Sequence, residues 1–376
     1  MNEFSNRTDL ARETVLEIDL GALKHNYTHL RSKLKKETKF LGVVKAFAYG
    51  SDAVQIAKKL EVLGIDYFAV AYVDEGIALR KSGIKTPILV LHPLPASFEK
   101  LIKHCLEPSL YSPKILDEFL KTAQKGGQKH YPVHLKFNTG LNRLGFSEND
   151  VEFISAKLNQ RDEIRVVSIF SHLAASEDLN EKQFTKNQIG SFQKISKEIT
   201  EKFSHKPFRH LLNTSGIINY PEAQFDMVRS GIGLYGFGNE SKVDAELKPV
   251  ATLKTVISQL HKIEPGESVG YNRGFVSNGP RITATLPVGH ADGIGRQYGN
   301  GNAYVTIGGK KTYVVGNICM DMIMVDVTGI DCKAGDEVII FGADQTAEHM
   351  AKGANTISYE LLTGISQRVK RIIRDE

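Results

Sequence analysis

Five residues with reactive or charged side chains stand at the ends of apolar segments in the first two thirds of the chain. Lys45 closes "LGVVK", Lys136 closes "VHLK" and His172 closes "SIFSH". Asn213 follows "HLL", and Arg229 lies within "MVRSG". A lysine amine in a desolvated pocket has a lowered pKa, and its neutral form is a nucleophile that can form an imine with a carbonyl compound. Pyridoxal phosphate is the obvious carbonyl partner for Lys45.

A cofactor that carries a phosphate also needs a segment that can bind the anion. The segments "NTSG" at 213–216 and "SGIGLYG" at 230–236 supply hydroxyls and glycines whose backbone N–H groups can face an anion. Glycine-rich segments also mark tight turns of a barrel, so they support phosphate binding only in combination with Lys45.

The elements that carry these residues follow a regular rhythm between about residues 40 and 236. Short runs rich in Val, Ile, Leu and Phe alternate with longer segments of helical periodicity, which predicts repeated βα units. The predicted strands are "FLGVV", "YFAVA", "PILVLH", "PSLY", "VHLKF", "VVSIFSH", "HLLN" and "MVRSGIGLYG". Eight such units indicate a closed (β/α)8 barrel of the TIM type, in which catalytic groups lie at the C-terminal ends of the strands.

After "LKPVATLKTVISQL" the pattern changes to alternating β segments separated by turn residues, as in "RITATLPVG" and "NAYVTIGGKKTYVVG". This change predicts a second, mostly β domain. We place the barrel at residues 12–243 and the β domain at 244–376, and we expect residues 1–11 to be flexible.

Composition excludes several classes of protein. The net charge of +5 comes from scattered lysines without the aromatic-interleaved basic stripe that nucleic acid requires. No apolar segment reaches the length of a signal peptide or a membrane span, so no membrane contact is expected. The three cysteines have unrelated spacings, which argues against a disulfide framework and against a metal site. A reducing, cytoplasmic location is expected.

A set of segments resembles, in order and approximate spacing, the signature segments of bacterial alanine racemases. They are "VVKAFAYG", "HLKFNTGLNRLGF", "SIFSHLA", "DMVRSGIGLYG", "SVGYNRGF", "GHADG" and "ICMDMIMVD". The resemblance extends from "VLEIDLGALKHN" to "TISYELLTGIS", nearly the whole chain. It implies a (β/α)8 barrel, a C-terminal β domain, one pyridoxal phosphate per subunit and a homodimer whose active sites are shared between subunits.

The resemblance also implies roles for individual residues. Lys45 would bind the cofactor and act as one acid/base group, and Tyr271 of the partner subunit would be the other. The phosphate would be bound by Tyr49, Thr214, Gly231, Ile232 and Tyr359, with Asn213 beside them. Arg229 would face the pyridine nitrogen, and its permanent charge disfavours protonation of that nitrogen.

Further residues are assigned around this centre by the same resemblance. Arg143 would bind the phenolic oxygen of the cofactor and contribute to substrate binding, and the backbone of Met320 would bind the substrate carboxylate. His210 would link Arg229 to the catalytic tyrosine, and His172 would pack beside the cofactor ring. The remaining supporting positions are Lys136, which many members carry as a carbamate, His290, Arg296 and Asp321.

Four positions depart from the usual family pattern: Phe47, Ser51, Asn138 and His290. His290 replaces a tyrosine in the segment that resembles the family's active-site entryway, so substrate access or side-chain preference is expected to differ. Phe47 and Ser51 resemble the branch in which the racemase is fused to a cell-wall ligase, which suggests a fused ligase domain in the full-length gene product.

The leading hypothesis is therefore racemisation of alanine, which supplies D-alanine for peptidoglycan. Racemisation of serine stays open, because an apolar pocket rejects one added hydroxyl only about a hundredfold. A decarboxylase of basic amino acids shares the architecture, but "VGYNRGF" has tyrosine where such enzymes present a cysteine-containing segment. A non-catalytic pyridoxal phosphate carrier would lack the β domain.

Overall fold

The structure is a computed structural model that describes residues 13–159, 161–238 and 241–375. The segment 1–11 that was expected to be flexible lies outside these residues. The chain divides into two compact units. One, the barrel unit, contains residues 23–48 and 53–247, and the other, the β unit, contains residues up to 22, 49–52 and from 248 onward.

The strands and helices have the following bounds. In chain order the strands are β1 (Val15–Asp19), β2 (Lys39–Val43), β3 (Tyr67–Val70), β4 (Ile88–Val90), β5 (Glu107–Leu110), β6 (Tyr131–Lys136), β7 (Ile164–Phe170), β8 (Phe208–His210), β9 (Met227–Ser230), β10 (Ala251–Val256), β11 (Gln259–Ile263), β12 (Ser268–Val269), β13 (Phe275–Val276), β14 (Arg281–Leu286), β15 (Tyr304–Ile307), β16 (Lys310–Val315), β17 (Ile323–Asp326), β18 (Glu337–Phe341) and β19 (Lys370–Arg374). The main helices are Leu20–Ser32, Ala53–Val62, Val73–Lys81, Phe98–Lys103, Pro113–Lys125, Val151–Leu158, Lys182–Glu201, Thr214–Asn219, Ala347–Gly353 and Ser358–Gly364.

The barrel unit is a closed parallel barrel made of β2 to β9. Each strand pairs with the next in the sequence, and β2 closes the ring against β9 with Leu41 opposite Arg229. Strands such as β3 and β4 are buried along their whole length, which is why their sequences are continuous apolar runs. The predicted (β/α)8 barrel is confirmed.

The helices cover the barrel with apolar faces, and Pro113–Lys125 shows how the sequence encodes one of them. Ser112 precedes the helix, and its hydroxyl accepts a hydrogen bond from the backbone N–H of Ile115 at 3.3 Å. Pro113 occupies the first turn, where its missing N–H costs nothing. Ile115 and Phe119 are buried one turn apart, so the helix lays a stripe of side chains on the strands.

The β unit contains a sheet of nine strands in the order β11-β14-β17-β16-β15-β18-β10-β1-β19, which confirms the predicted mostly β C-terminal region. Strand β1 pairs antiparallel with β10 and parallel with β19. The segment Val15–Asp19 therefore belongs to this sheet, although it precedes the barrel in the sequence. The predicted division of the chain at residues 243 and 244 stays a prediction.

Candidate active site

Lys45 follows β2 after one residue, Val44, and begins a short left-handed turn. The four residues Ala46, Phe47, Ala48 and Tyr49 all have φ between 52 and 55°. This conformation costs a non-glycine residue roughly 1 kcal/mol or more, so surrounding contacts must enforce it. Because the turn begins just after the carboxyl end of β2, Lys45 lies at the rim of the barrel.

Glu75 is one of the groups that enforce this turn. Its carboxylate accepts hydrogen bonds from the backbone N–H groups of Ala46 at 2.6 Å, Ala71 at 2.7 Å and Tyr72 at 3.0 Å. Glu75 thus ties the residue after Lys45 to the end of β3. Sequence reasoning missed this residue because "VDEG" has the ordinary appearance of an acidic first helical turn.

The pKa of the half-buried Lys45 amine is lowered, first by desolvation and then by the nearby positive charge of Arg143, with Glu75 acting in the opposite direction. Lys136 is 6% exposed, and burial together with Arg143, Arg229 and Lys45 lowers its pKa to about 8. The barrel rim therefore concentrates cationic side chains. Such a cluster fits an anionic ligand that carries phosphate or carboxylate groups.

Arg229 is buried on β9 and donates hydrogen bonds in several directions. Its guanidinium contacts Nδ1 of His210 at 2.6 Å and Nδ1 of His172 at 3.1 Å. Further bonds go to the carbonyl oxygens of Ser171 at 2.7 Å and Leu211 at 2.9 Å. Burial lowers its pKa to about 9, so the side chain keeps its charge near neutral pH.

The two histidines beside Arg229 differ in what their second ring nitrogen contacts. His210 is fully buried, and its Nε2 lies 2.9 Å from the hydroxyl of Ser168, so both nitrogens are used inside the barrel. The half-buried His172 contacts Arg229 through Nδ1, and its Nε2 has no hydrogen-bond partner among the described residues. The prediction that His210 links Arg229 to a tyrosine is therefore wrong, because no nitrogen of His210 is left for that bond. His172 is the better candidate.

The segments predicted to bind phosphate form a buried turn at the end of β8 and β9. The Thr214 hydroxyl lies 2.9 Å from that of Ser230 and 3.3 Å from the backbone nitrogen of Gly233. A Cβ at Gly233 would lie 2.5 Å from the Thr214 side chain, so only glycine fits there. Gly231 precedes the 3-10 turn Ile232–Tyr235. Asn213 accepts a hydrogen bond from the backbone N–H of Gly216 at 2.9 Å and thereby caps Thr214–Asn219.

The remaining predicted residues lie in the β unit. The rings of Tyr49 and Tyr359 are 6.0 Å apart, and burial with the neighbouring Tyr359 raises the pKa of Tyr49. Tyr271 is 71% exposed and follows Gly270, which has a φ of 77° that favours glycine. Its carbonyl accepts a hydrogen bond from Asn317 at 2.9 Å.

Met320, His290 and Asp321 form a connected surface segment of the β unit. The backbone N–H groups of His290 and Ala291 donate to the carbonyls of Cys319 and Met320, each at 3.0 Å. Arg368 donates to Asp321 at 2.6 Å and to Asp292 at 2.6 and 3.0 Å, which holds the segment in place. Arg296 is exposed in the same unit.

The four departures from the family pattern have simple surroundings. Phe47 is 59% exposed in the left-handed turn, and His290 is exposed as well. Ser51 is buried. Asn138 accepts hydrogen bonds from the backbone N–H groups of Gly140 and Asn142, so its side chain shapes a local loop.

Two other kinds of feature, a metal site and a membrane-spanning helix, can be sought in the described residues. Within residues 13–159, 161–238 and 241–375, no three His, Cys, Asp or Glu side chains converge as a metal site would require. In the same residues no helix is long and apolar enough to cross a bilayer. The fold and the cationic rim thus define a βα barrel with a lysine of lowered pKa at the C-terminal end of its first strand.

Comparison with known proteins identifies the family. Residues 18–238 match the model of the alanine racemase N-terminal domain, and residues 250–373 match that of the alanine racemase C-terminal domain. The alanine racemase of Thermodesulfovibrio yellowstonii is 37% identical over 370 residues, covering 96% of this chain and 98% of the relative. Alanine racemase of Treponema denticola is 35% identical and covers 97% of this chain and 99% of the relative.

Solved structures agree with the sequence matches. The alanine racemase of Clostridium difficile superposes with a TM-score of 0.91 at 36% identity, covering 98% of this chain and 97% of that chain. The enzyme of Streptomyces lavendulae superposes with a TM-score of 0.92 at 28% identity and covers 98% of both chains. The chain belongs to the alanine racemase family and is an enzyme.

Proposed function

We propose that this enzyme interconverts L-alanine and D-alanine with pyridoxal phosphate as its cofactor. The observation that carries the proposal is Lys45, an amine with a lowered pKa at the rim of the barrel, beside a cluster of cationic groups. These features fit a cofactor with an aldehyde and a phosphate. The curated relatives named alanine racemase support the choice of substrate.

When bound, pyridoxal phosphate supplies a carbonyl group for the substrate amine and a ring that withdraws electrons, which acidifies the α-hydrogen. Lys45 would anchor it. The other residues proposed to hold the cofactor are Tyr49, Arg143, His172, Asn213, Thr214, Arg229, Gly231, Ile232 and Tyr359. Arg229 has donors but no acceptor, so it can hydrogen-bond a ring nitrogen only while that nitrogen is unprotonated.

Inversion of the α-carbon requires a proton to leave one face and another to arrive on the opposite face, so two bases are needed. We propose Nζ of Lys45 as one base. Its lowered pKa raises the fraction of neutral amine that can accept a proton. We propose the hydroxyl of Tyr271 as the other base, supplied by the partner subunit of a homodimer. Its 71% exposure in a single chain leaves it accessible to a second one.

His172 is suited to assist the tyrosine. Its Nδ1 faces the donor-only guanidinium of Arg229, so Nδ1 must accept and the proton of the neutral ring must reside on Nε2. Burial and Arg229 lower the pKa of His172 well below its ordinary value, which keeps the ring neutral. We propose that Arg143 and the backbone of Met320 bind the substrate carboxylate. The supporting roles of Arg296, Asp321 and His290 stay predictions.

The biological role follows from the product. We propose that D-alanine made by this enzyme supplies peptidoglycan, and that the enzyme works in the cytoplasm. Both domain families that match the chain are alanine racemase domains, and neither supports the predicted fused ligase.

Replacing Lys45 tests the proposal most directly. The purified protein should racemise L-alanine, and Lys45→Ala should lower kcat by at least about 10³, because an acid/base group and the cofactor anchor are lost together. Borohydride reduction of the wild type followed by peptide mapping should label Lys45. The control is Lys58→Ala, which removes an exposed lysine of the same unit.

Other outcomes would identify a different enzyme. Faster turnover of L-serine than of L-alanine would establish a serine racemase. Carbon dioxide released from lysine, ornithine or arginine would establish a decarboxylase. If the protein binds pyridoxal phosphate but turns over none of these amino acids, it would be a non-catalytic carrier of the cofactor.

A further inference from the structure

A chain of hydrogen bonds leads from Arg229 into the interior of the barrel. Nδ1 of His210 lies 2.6 Å from the guanidinium, and its Nε2 lies 2.9 Å from the hydroxyl of Ser168. The same hydroxyl lies 2.6 Å from Nδ1 of His134, whose Nε2 lies 2.8 Å from the carboxylate of Glu107. The chain crosses strands β9, β8, β7, β6 and β5 in order.

The members of this chain are shielded from water. His134, Ser168 and His210 are fully buried, and Glu107 is 8% exposed. The ring of His210 stacks on Phe170 with centroids 4.8 Å apart and planes 5° from parallel, which fixes its orientation. Buried polar groups that form a complete network favour one arrangement of donors and acceptors.

With a single proton on each histidine ring, the direction of every hydrogen bond in the chain follows from its two ends. The guanidinium of Arg229 can only donate, so Nδ1 of His210 must accept and its proton must reside on Nε2. This Nε2–H donates to the Ser168 oxygen, whose own proton must then go to Nδ1 of His134. His134 is left with its proton on Nε2, which donates to the carboxylate of Glu107.

Glu107 suits the accepting end of the chain. An ionised carboxylate only accepts hydrogen bonds, and the hydroxyl of Tyr67 also bonds to it. Burial, followed by the Glu107 carboxylate, raises the pKa of Tyr67, which keeps that hydroxyl protonated and donating. Both ends of the chain therefore require the hydrogen bonds of the two histidines to donate in the same direction, from Arg229 towards Glu107.

Arg229 is unusual because its hydrogen bonds within the described residues go to neutral acceptors, the two histidines and two carbonyls. A buried charge without a direct counter-ion is costly. Hydrogen bonds in a chain polarise one another, so a carboxylate at the far end strengthens the acceptor at the near end. Glu107 can thereby stabilise the charge of Arg229 across three intervening side chains.

We infer that Ser168, His134 and Glu107 are positioning residues, which hold His210 as a neutral acceptor and so keep Arg229 charged and in place. The effect on racemisation rests on the proposed function. The directions of the hydrogen bonds concern the protein without substrate and can be measured independently.

The first test measures the proton positions on the two histidines by nitrogen NMR of the full-length protein labelled with 15N-histidine. His210 and His134 should both be neutral and carry their proton on Nε2, with signals assigned through His134→Gln and His210→Gln. A proton on Nδ1 of either ring, or a doubly protonated His134, reverses part of the chain and overturns the inference.

The second test interrupts the chain at its centre. Ser168→Ala should change the ring signals of His210 and lower kcat for alanine about tenfold, since a buried hydrogen-bond chain to a charged group is broken. The matched control is Ser109→Ala on β5, which removes a fully buried hydroxyl that has no hydrogen-bond partner among the described residues. The control should leave both kcat and the His210 signals unchanged.

The third test separates charge from hydrogen bonding at the far end. Glu107→Gln keeps an oxygen that can accept from His134, whereas Glu107→Leu removes every acceptor, so the loss of kcat should be larger for leucine. Unchanged His210 signals in Ser168→Ala, or a loss of kcat that appears equally in Ser109→Ala, would reduce the chain to a structural role. Absence of alanine racemisation in the wild type with the expected tautomers would contradict the proposed function alone.

Discussion

Arg229 and His210 of the barrel unit differ from Tyr271 and Met320 of the β unit in how strongly their own unit holds them. Arg229 is 5% exposed and His210 is fully buried, and both are bonded on several sides. Tyr271 and Met320 are 71% and 59% exposed and are held mainly through their backbone. The barrel thus preorganises Arg229 and His210, whereas the β unit leaves the side chains of Tyr271 and Met320 available to another surface.

This difference has a physical reason. Arg229 must remain charged and His210 must remain neutral, and burial with fixed partners sets the protonation of both side chains. Tyr271 is proposed to act in the site of a partner subunit, so burial within its own chain would withdraw it from that site. Four substitutions can break or sharpen the comparison, and they are ordered by the size of the expected effect.

Tyr271→Phe should have the largest effect, a loss of about 10² to 10⁴ in kcat, because a positioned acid/base group is removed. The melting temperature should hardly change, since the hydroxyl belongs to an exposed side chain. The matched control is Tyr313→Phe, another exposed tyrosine of the β unit at 57% exposure.

Two further measurements test the partner-subunit role of Tyr271. Mixing Tyr271→Phe with Lys45→Ala should restore activity in heterodimers that contain one intact site. Tyr271→Phe alone should still exchange the α-hydrogen of D-alanine with deuterated water but hardly that of L-alanine. Equal exchange of both enantiomers, or inactive heterodimers, would remove Tyr271 from the mechanism.

Lys136→Met should change how stability depends on pH. The pKa of Lys136 is lowered from 10.5 to about 8, so below pH 8 the buried charge destabilises the folded state by its full amount. Between these values the unfolded chain binds more protons, so the free energy of unfolding rises with pH. Lys136→Met should remove this rise and raise the free energy of unfolding near neutral pH by about 2 to 3 kcal/mol.

Urea unfolding at several pH values in bicarbonate-free buffer measures this difference. Bicarbonate is left out because it could convert the amine to a carbamate. Lys58→Met, which alters an exposed lysine, should follow the wild-type curve. A constant offset between Lys136→Met and the wild type at every pH would show that the amine does not titrate as described.

Glu75→Gln should lower the free energy of unfolding by about 1 to 3 kcal/mol, because one of the two carboxylate oxygens that accept backbone N–H groups is lost. Loss of the negative charge should also lower the pKa of Lys45 further and shift the pH profile of kcat to lower pH. The control Asp74→Asn neutralises an exposed acid in the same helical turn. An identical response of both variants would exclude the proposed anchoring of the left-handed turn.

His290→Tyr should have the smallest effect, a change of a few fold in KM or in the preference for alanine over serine. His290 is exposed and lies far along the chain from the barrel cluster, so kcat should change little. The kinetics of both amino acids check this expectation. A large drop in kcat with unchanged preference would place His290 in the chemical step.

Much of the fold could be predicted because periodicity reports burial directly. The runs that became β3 and β4 are wholly apolar, and the alternating pattern after residue 250 matches the β unit. The pairing of Val15–Asp19 with strands β10 and β19 could not be predicted, since it joins segments more than 200 residues apart. The predicted eighth strand also ends earlier, because Ile232–Tyr235 is a 3-10 turn.

The sequence by itself determined the eight-stranded barrel and the β region after it, and it singled out candidate residues such as Lys45 and Arg229. These depend on local patterns that a single segment contains. Only the tertiary structure decided that His210 turns inward to Ser168 while His172 keeps a nitrogen for another partner. It also decided that Glu107 and His134 continue the same hydrogen-bond chain. Hydrogen bonds between neighbouring barrel strands join residues far apart in sequence, so no local pattern contains them.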